Sequence, residues 1–464
     1  MRILIIVYDN DSYIHWFPQG VAYLAAVLQR AGIDVVIYNQ DLHHYPEEHL
    51  KGFLNDNRFD FVGLSFIGGY YQYRKALKIS EAINCSKNRP FYIIGGHGPS
   101  PEPEFFLRKT KADAVVIGEG EETVLELLEV VYRKNKPMEA VKGIAFYNEK
   151  DEFVQTERRQ LISDIDSIPF PAYNLFPIEY YRLLRMPHCT NTDFVMPVLS
   201  GRGCTFKCNF CYRMDKGFRP RSSESIIEEI RFLKKTYNIT YIAFSDELLM
   251  SSVKRTEELC DALLRAKLDV KWDCNGRLNY AEASLLRLMK AAGCVFINYG
   301  IEAMDDNVLR IMRKSLTVKQ IVAGIEATMK AGISPGFNII FGHIGDNAVT
   351  LKKGVEFLLK YDDGAQMRTI RPVTPYPGSP LYYYAIEKNF LYGVEDFYEN
   401  KHLNSDLLSV NFTDLTDEEY YEELLKANRS LLMNYINNRS ITLAKSVEDL
   451  YQNKNESFRG FRQS

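Results

Sequence analysis

Short apolar runs alternate with stretches of helical apolar spacing in the first third of the chain. The runs rich in β-branched and aromatic residues predict strands at Arg2–Tyr8, Asp34–Tyr38, Phe61–Ser65, Phe91–Ile94 and Ala114–Ile117. Helical spacing predicts helices at Gly20–Ala31, around Arg74–Ile83 and around Thr123–Val131. Because strand and helix alternate, we expect a parallel, doubly wound sheet, which binds ligands at the carboxyl ends of its strands.

A second alternating region begins at Phe194 and extends to about Pro380. Its apolar runs predict strands at Phe194–Ser200, Tyr241–Ser245, Val270–Asn275, Val295–Ile301, Gly336–Phe341 and Met367–Val373. Strands separated by helices in this way indicate a partial or full (β/α) barrel. Upstream, Lys142–Glu157 has the pattern of a hairpin, and the proline-bearing stretch Leu161–Asp193 that of a linker.

The remainder of the chain has helical spacing. Thr416 and Glu419 form a capping-box pattern before a long helix, and the polar end Gln452–Ser464 is expected to fray. The predicted fold class is therefore α/β. A Rossmann-like parallel sheet occupies residues 1–150, a linker 151–193, a (β/α) barrel 194–380 and a C-terminal helical region 381–464.

Composition narrows the class of protein further. The 464 residues are 46% hydrophobic and 25% charged, with a formal charge of −3, which is ordinary for a soluble globular protein. The absence of a basic excess argues against a nucleic-acid partner or an anionic membrane surface. The opening apolar run, Ile3–Tyr8, is too short for a signal peptide or a membrane span. We therefore expect a cytoplasmic protein.

Three of the eight cysteines fall on one short segment directly after a predicted strand. Cys204, Cys208 and Cys211 have the spacing C-x-x-x-C-x-x-C. Three thiolates at this spacing can ligate three irons of a four-iron–four-sulfur cluster and leave the fourth iron open. An open iron can chelate the amino and carboxylate groups of S-adenosylmethionine. A zinc site is the alternative, but zinc ligands usually come in pairs of cysteines or histidines, and the other five cysteines are scattered.

The cysteine segment, including the aromatic Phe210 before the last cysteine, resembles the signature of the radical S-adenosylmethionine superfamily. The resemblance implies that further residues at strand ends contact S-adenosylmethionine. Glu247, with Ser245 and Asp246, stands at the family's Gly-Gly-Glu position, which binds the methionyl amino group, although this sequence departs from that form. The remaining expected contacts are Arg277 to the methionyl carboxylate, Glu302 to the ribose or amino group, and Tyr376 in a turn that resembles the cobalamin-linked subgroup. Each of these alone also fits an ordinary barrel rim or turn.

Glycines and polar residues after the N-terminal strands resemble the cobalamin-binding domain that is fused to this subgroup. The residues that carry this resemblance are Gly20, Ser65, Gly96, His97, Gly98, Gly118, Glu119 and Glu121. The two glutamates are expected to accept hydrogen bonds from cofactor amides, and tight strand–helix turns are the alternative explanation. The segment Asp41–Pro46 begins like the cobalt-ligating D-x-H-x-x-G motif but has proline in place of glycine. We therefore expect cobalamin bound without histidine below cobalt, with Tyr70, Tyr71 or Tyr73 either covering that face or packing on the helix.

The resemblance covers residues 1 to about 380 and identifies the chain as a cobalamin-binding-domain-containing radical S-adenosylmethionine enzyme. This family includes class B-type methyltransferases and the anaerobic magnesium-protoporphyrin monomethyl ester cyclase. It implies three cofactors: a 4Fe-4S cluster, S-adenosylmethionine and cobalamin. It also implies a small-molecule substrate and an electron donor such as flavodoxin or ferredoxin. We expect methylation of an unactivated carbon through methylcobalamin. The alternatives are cyclisation or rearrangement without methyl transfer, and a non-enzymatic sensor, for which no DNA-binding motif is present.

Overall fold

The computed structural model describes residues 1–457. Its N-terminal part is a seven-stranded sheet in the order β2-β1-β3-β4-β5-β6-β7, with β1 to β5 parallel and β6 and β7 antiparallel. The strands are β1 Arg2–Val7, β2 Asp34–Asn39, β3 Phe61–Ser65, β4 Phe91–Gly95, β5 Ala114–Val116, β6 Ile144–Tyr147 and β7 Phe153–Gln155. The chain reverses its direction across the sheet between β1 and β3, so the ligand-binding crevice is expected at the carboxyl ends of these two strands.

Helices cover both faces of this sheet. They are α1 Gln19–Arg30, α2 Gln40–His43, α3 Glu47–Asp56, α4 Tyr70–Asn84, α5 Pro103–Thr110 and α6 Glu121–Arg133, with a 3-10 turn at Met138–Ala140. Alternate residues of β1 point to opposite sides: Ile3 and Ile5 pack with α1 and α6, whereas Leu4 and Ile6 pack with α3, α4 and α5. The predicted doubly wound, Rossmann-like arrangement is confirmed.

The stretch that was predicted as a linker packs closely on both neighbours. It contains 3-10 turns at Ile165–Ser167 and Tyr173–Leu175 and a short helix, α7 Ile178–Tyr181. Tyr173 stacks on Phe17 of the N-terminal part at 5.3 Å between ring centroids, and its hydroxyl donates to Glu229 of the barrel at 2.6 Å. The two halves of the molecule are therefore joined by a buried aromatic layer.

The second half contains a parallel six-stranded sheet in the order β15-β14-β13-β12-β11-β8, the partial form of the predicted barrel. Its strands are β8 Val195–Val198, β11 Tyr241–Phe244, β12 Lys271–Gly276, β13 Cys294–Glu302, β14 Ser334–Phe341 and β15 Arg371–Pro372, and an antiparallel hairpin of β9 Gly201–Cys204 and β10 Gly217–Pro220 follows β8. The intervening helices are α8 Ser223–Tyr237, α9 Val253–Ala266, α10 Ala283–Ala291, α11 Asp306–Ile311, α12 Val318–Lys330 and α13 Ala348–Tyr361, with a 3-10 turn at Leu278–Tyr280. β15 is shorter than the predicted Met367–Val373, since only Arg371 and Pro372 pair with β14, opposite Ile340 and Phe341.

The C-terminal region is helical, as predicted. Its helices are α14 Pro380–Glu387, α15 Val394–Asp396 and α16 Asp417–Gln452, with a π-helical turn at Phe397–Lys401. The capping box of Thr416 and Glu419 starts α16, whose Tyr420 stacks on Phe341 of β14. The predicted fraying of Gln452–Ser464 lies partly outside the described residues. Over residues 1–457, no helix combines the length and apolar character needed to cross a bilayer.

Candidate active site

Cys204 ends β9, and Cys208 and Cys211 lie on the segment that leads back to β10. We call residues 201–220 the cysteine hairpin. The thiols are close enough to influence one another: burial above all, then Glu247, Cys208 and Cys204, raises the pKa of Cys211 to about 12. Loading a metal here must therefore displace thiol protons. No group of three His, Cys, Asp or Glu side chains in residues 1–457 is arranged to hold a single metal ion. A cubane cluster has different geometry, because its ligands surround a body several ångströms wide.

Glycine lets the two strands of the hairpin approach each other closely. Gly203 has φ +85°, and a Cβ there would lie 2.4 Å from the carbonyl oxygen of Gly217. Any other residue would push β9 away from β10 and move Cys204, the next residue. The sequence pattern did not predict the antiparallel partner strand β10.

Asn209, between the second and third cysteines, fixes the loop from several sides. Its side-chain amide donates to the carbonyl of Ile311 at 3.0 Å, its backbone N–H donates to Met312, and its carbonyl accepts from Leu381. The ring of His343, which is fully buried at the end of β14, forms a 2.9 Å hydrogen bond with the Asn209 amide oxygen. Sequence reasoning missed both residues, because their partners lie more than a hundred positions apart in the chain.

Asp246 supports the start of the cysteine hairpin. One of its carboxylate oxygens accepts the backbone N–H groups of Ser200 and Gly201, each at 2.7 Å. The side chain is almost wholly buried, and burial raises its pKa to about 6. The other oxygen has no hydrogen-bond partner in the described chain. The structure therefore gives Asp246 a backbone-holding contact, whereas the resemblance implied contact with S-adenosylmethionine.

The neighbours of Asp246 face the N-terminal part. The Ser245 hydroxyl donates to the side-chain oxygen of Gln19 at 2.6 Å, which joins the barrel rim to the start of α1. Glu247 lies beside the cysteines, and burial raises the pKa of its carboxyl group. Of the three residues at the predicted Gly-Gly-Glu position, Glu247 is the one whose carboxylate faces the cysteine loop.

Arg277 and Glu302 flank the cysteine loop from β12 and β13. The Arg277 guanidinium lies 3.3 Å above the ring of Phe206, and one of its terminal nitrogens is buried with no acceptor among the described residues. This free donor suits a carboxylate ligand. Glu302 is already paired with the amino group of Lys314 at 2.8 Å, and that amino group also faces the ring of Phe210.

A cavity of about 350 Å³ lies between the carboxyl edge of the N-terminal sheet and the cysteine hairpin. We call it the interdomain cavity. From the N-terminal side it is lined by the predicted residues Gly20, Ser65, Gly96, His97, Gly118, Glu119 and Glu121, and from the barrel side by Gly201, Arg202, Gly203, Ser245 and Glu247. Its deep end is apolar, with Ile3, Ile5 and Ile93 around Gly63, which suits the insertion of a long planar group.

Three predicted contacts lie elsewhere in the described structure. Gly98 packs against Phe66, where a Cβ would come within 2.9 Å of the ring, and Tyr376 packs on His402 with a centroid distance of 5.3 Å. Tyr73 is buried against aromatic residues of the C-terminal region. Within residues 1–457, the lining of the interdomain cavity contains none of Tyr70, Tyr71, Tyr73, Gly98 and Tyr376.

Glu119 and Glu121 are paired with arginines of the cysteine hairpin. Arg202 binds Glu119 at 2.7 Å and Glu121 at 2.6 Å, and Arg219 binds Glu119 at 2.9 Å. Hydrogen bonds from Arg219 and Arg202 lower the pKa of Glu119 even though its burial acts in the opposite direction. The carboxylates that were expected to accept from cofactor amides are thus largely engaged by the protein itself.

Comparison with known proteins agrees with this division of the chain. Residues 5–128 match the B12 binding domain, and residues 198–358 match the Radical SAM superfamily. An uncharacterised methyltransferase of Pyrococcus horikoshii is 29% identical over 402 residues, which cover 84% of each chain. The anaerobic magnesium-protoporphyrin IX monomethyl ester cyclase of Rubrivivax gelatinosus is 27% identical, over 79% of this chain and 66% of its own length.

The fold is also that of a solved enzyme. The cobalamin-dependent S-adenosylmethionine radical enzyme OxsB, determined with aqua-cobalamin and S-adenosylmethionine bound, superposes with a TM-score of 0.71 at 18% identity, over 91% of this chain and 65% of its own. The two matched domains imply a 4Fe-4S cluster, S-adenosylmethionine and cobalamin as cofactors. The chain thus belongs to the radical S-adenosylmethionine enzymes that carry a cobalamin-binding domain.

Proposed function

We propose that this enzyme transfers a methyl group to a carbon atom of a small or medium-sized molecule. The observation that carries the proposal is the interdomain cavity, one space bounded by the glycine-rich sheet edge on one side and by the cysteine hairpin on the other. When bound, the cluster with S-adenosylmethionine supplies radical chemistry, and cobalamin supplies a transferable methyl group. A substrate carbon held in the same space is close to both, and such proximity is a large part of catalysis.

The chain's own groups have separate roles in this proposal. Cys204, Cys208 and Cys211 hold the cluster, while Glu247 and Arg277 bind the amino and carboxylate groups of S-adenosylmethionine. Arg277 suits its role because it keeps a buried donor for which residues 1–457 supply no acceptor. The apolar depth of the cavity takes the nucleotide tail of cobalamin. An electron donor such as flavodoxin or ferredoxin completes the cycle.

The cluster assignment is tested by single replacements of cysteine with alanine under anaerobic reconstitution. Loss of any one of Cys204, Cys208 and Cys211 should remove iron binding or reductive cleavage of S-adenosylmethionine. The matched controls Cys189→Ala, Cys260→Ala and Cys294→Ala should retain both. A cluster that survives the Cys208→Ala change unaltered would disprove this ligand set.

The cobalamin assignment is tested by electron paramagnetic resonance of the Co(II) form. We expect no nitrogen hyperfine splitting from an axial imidazole, although His97 lies at the cavity wall. Splitting that disappears in His97→Ala would show histidine coordination and refute the base-off mode without histidine. A purified protein with no affinity for cobalamin would refute the assignment altogether.

Methyl transfer and its alternative give different products. With a suitable substrate, methyl transfer should yield S-adenosylhomocysteine, 5′-deoxyadenosine and a product that carries labelled methyl. The second candidate is cyclisation or rearrangement without methyl transfer, which the similarity to the magnesium-protoporphyrin cyclase favours. It would yield 5′-deoxyadenosine without S-adenosylhomocysteine, and a product of altered ring or oxidation state.

A further inference from the structure

Glu119 lies where three parts of the molecule meet. It follows β5 of the N-terminal sheet, and its carboxylate accepts hydrogen bonds from Arg202 and Arg219 of the cysteine hairpin and from the backbone N–H of Ile162 in the connecting segment. Arg219 also donates to the carbonyl of Ile162 at 2.6 Å. The Glu119 side chain is 7% exposed and each arginine side chain 15%, so solvent screens these contacts little.

The hairpin depends on this carboxylate for its geometry. Arg202 and Arg219 are direct cross-strand partners in the register of β9 and β10, so two positive charges stand opposite each other. Like charges in such a pair repel, and a two-stranded hairpin is only marginally stable by itself. Glu119 binds both guanidinium groups, with Glu121 and Asp215 each taking a second contact from one of them. The negative charge of Glu119 therefore offsets the repulsion between the two arginines and attaches the cysteine hairpin to the N-terminal sheet.

The attachment is adjacent to the reacting centre. Arg202 is two residues from Cys204 on the short strand β9, so a tilt of the hairpin moves the cysteine. Glu119 and Arg202 both line the interdomain cavity, as do the glycines on either side of Glu119. The loop of residues 118–120, which forms the cavity wall on the cobalamin side, therefore binds β9, the strand that carries Cys204.

We propose that Glu119 is a positioning residue that fixes the cysteine hairpin against the cobalamin-binding domain and so sets the separation of the cluster from cobalt. The proposal deepens the assigned site and rests on the proposed role of Cys204 as a cluster ligand. It assigns Glu119 a contact within the protein, in place of the contact with cofactor amides that its sequence position suggested.

The first test uses hydrogen exchange on the protein without cofactors. In Glu119→Gln, the backbone amides of residues 201–204 and 217–219 should exchange at least tenfold faster than in the unaltered protein, because the two arginines lose their shared charge partner. Glu122→Gln is the matched control, since Glu122 is 57% exposed, stands in the first turn of α6 just after Glu119 and contacts Arg159 instead of the hairpin. Unchanged exchange in Glu119→Gln, or equal acceleration in the control, would overturn the proposal.

The second test measures the spin–spin interaction between the reduced cluster and Co(II) in the fully loaded enzyme. Glu119→Gln should change or broaden this interaction, while the iron and cobalt contents stay close to those of the unaltered enzyme. The Glu122→Gln spectrum should not change. An interaction identical in all three proteins would overturn the proposal.

A third variant covers the case in which Glu119→Gln fails to fold. Arg219→Lys keeps the charge but loses the planar fork that joins Glu119, Asp215 and the Ile162 carbonyl, and it should show the same two effects in milder form. If it shows neither effect, the proposal fails. A cluster that survives the loss of Cys204 would instead refute the ligand assignment, and the exchange result on the cofactor-free protein would remain interpretable.

Discussion

Asp246 offers a test that separates holding the backbone from binding a ligand. In Asp246→Ala, the N–H groups of Ser200 and Gly201 lose their common acceptor in a buried place. A buried donor left without a partner costs about 1–3 kcal/mol, so the pair should cost about 2–6 kcal/mol. Asp246→Asn retains an acceptor oxygen of the same shape. We therefore expect Ala to be less stable than Asn by about 2–6 kcal/mol at any pH between 5 and 8.

The charge of Asp246 adds a dependence on pH with a defined sign. Burial raises its pKa from 3.8 to about 6, so the folded protein favours the protonated form more than the unfolded chain does. The unaltered protein should therefore lose stability relative to Asp246→Asn as pH rises from about 4 to about 6. Roughly two pKa units correspond to about 3 kcal/mol. This is an upper value for the difference in free energy of unfolding between Asp246→Asn and the unaltered protein above pH 6.

Urea unfolding followed by tryptophan fluorescence suits this measurement. Trp272 is fully buried in β12 against the ring of Phe244, one residue before Ser245, and therefore reports on the barrel near Asp246. Iron content and S-adenosylmethionine affinity are measured on the same proteins. If Asp246→Asn keeps its stability and its iron but loses at least tenfold in S-adenosylmethionine affinity, Asp246 binds the ligand as a carboxylate, and the reasoning from its backbone contacts is refuted.

Three further predictions concern other parts of the barrel and its rim. Gly378→Ala should cost about 1–3 kcal/mol, because Gly378 has φ +88° and a Cβ would lie 2.5 Å from the ring of Tyr212. The control is Gly52→Ala in α3, where a Cβ meets no described atom within 4 Å, and it should be neutral or stabilising. Equal thermal midpoints for Gly378→Ala and Gly52→Ala would show that the contact with Tyr212 does not destabilise the first variant. Asp273→Asn should become more stable than the unaltered protein as pH rises from about 4 to 7, because burial raises the pKa of Asp273 to about 7. Curves of unfolding free energy against pH that run parallel for the two proteins would contradict this prediction. Arg277→Lys should weaken S-adenosylmethionine binding about tenfold with iron retained, because lysine lacks the planar fork; an unchanged dissociation constant would exclude the carboxylate contact.

The local pattern of the chain was sufficient to predict the strands of its two parallel sheets. The predicted strand Phe61–Ser65 has the same bounds in the structure, and the capping box at Thr416 begins α16 as expected. Apolar periodicity works here because each parallel strand is short, buried and bounded by a polar or glycine-rich turn. The hairpin of β9 and β10 was missed, since its four-residue strands carry glycine, arginine and cysteine instead of an apolar run.

The candidate site was predictable as a set of positions but not as a set of contacts. Glu119 lies at the carboxyl edge of the N-terminal sheet, and Asp246 and Glu302 lie at strand ends of the barrel; the cofactor contacts that the resemblance implied for them stay predictions. The hydrogen-bond partners of these carboxylates could not be predicted from the sequence, because Glu119 pairs with Arg202 across 83 positions and Asp246 binds Ser200 across 46. A carboxylate in a buried place binds whichever donor the fold brings nearest, and a one-dimensional pattern does not contain that distance.

The sequence by itself determined the fold class, the spacing of the three cysteines and the glycine-rich turns, because each follows from residue type at short separation. The tertiary structure decided how these parts face one another. It placed the cysteine hairpin opposite the sheet edge, enclosed one cavity between them, and engaged Glu119 and Glu121 with Arg202 and Arg219. The physical reason is that burial makes unpaired charge costly, so charged groups at a domain boundary must find partners in the other domain.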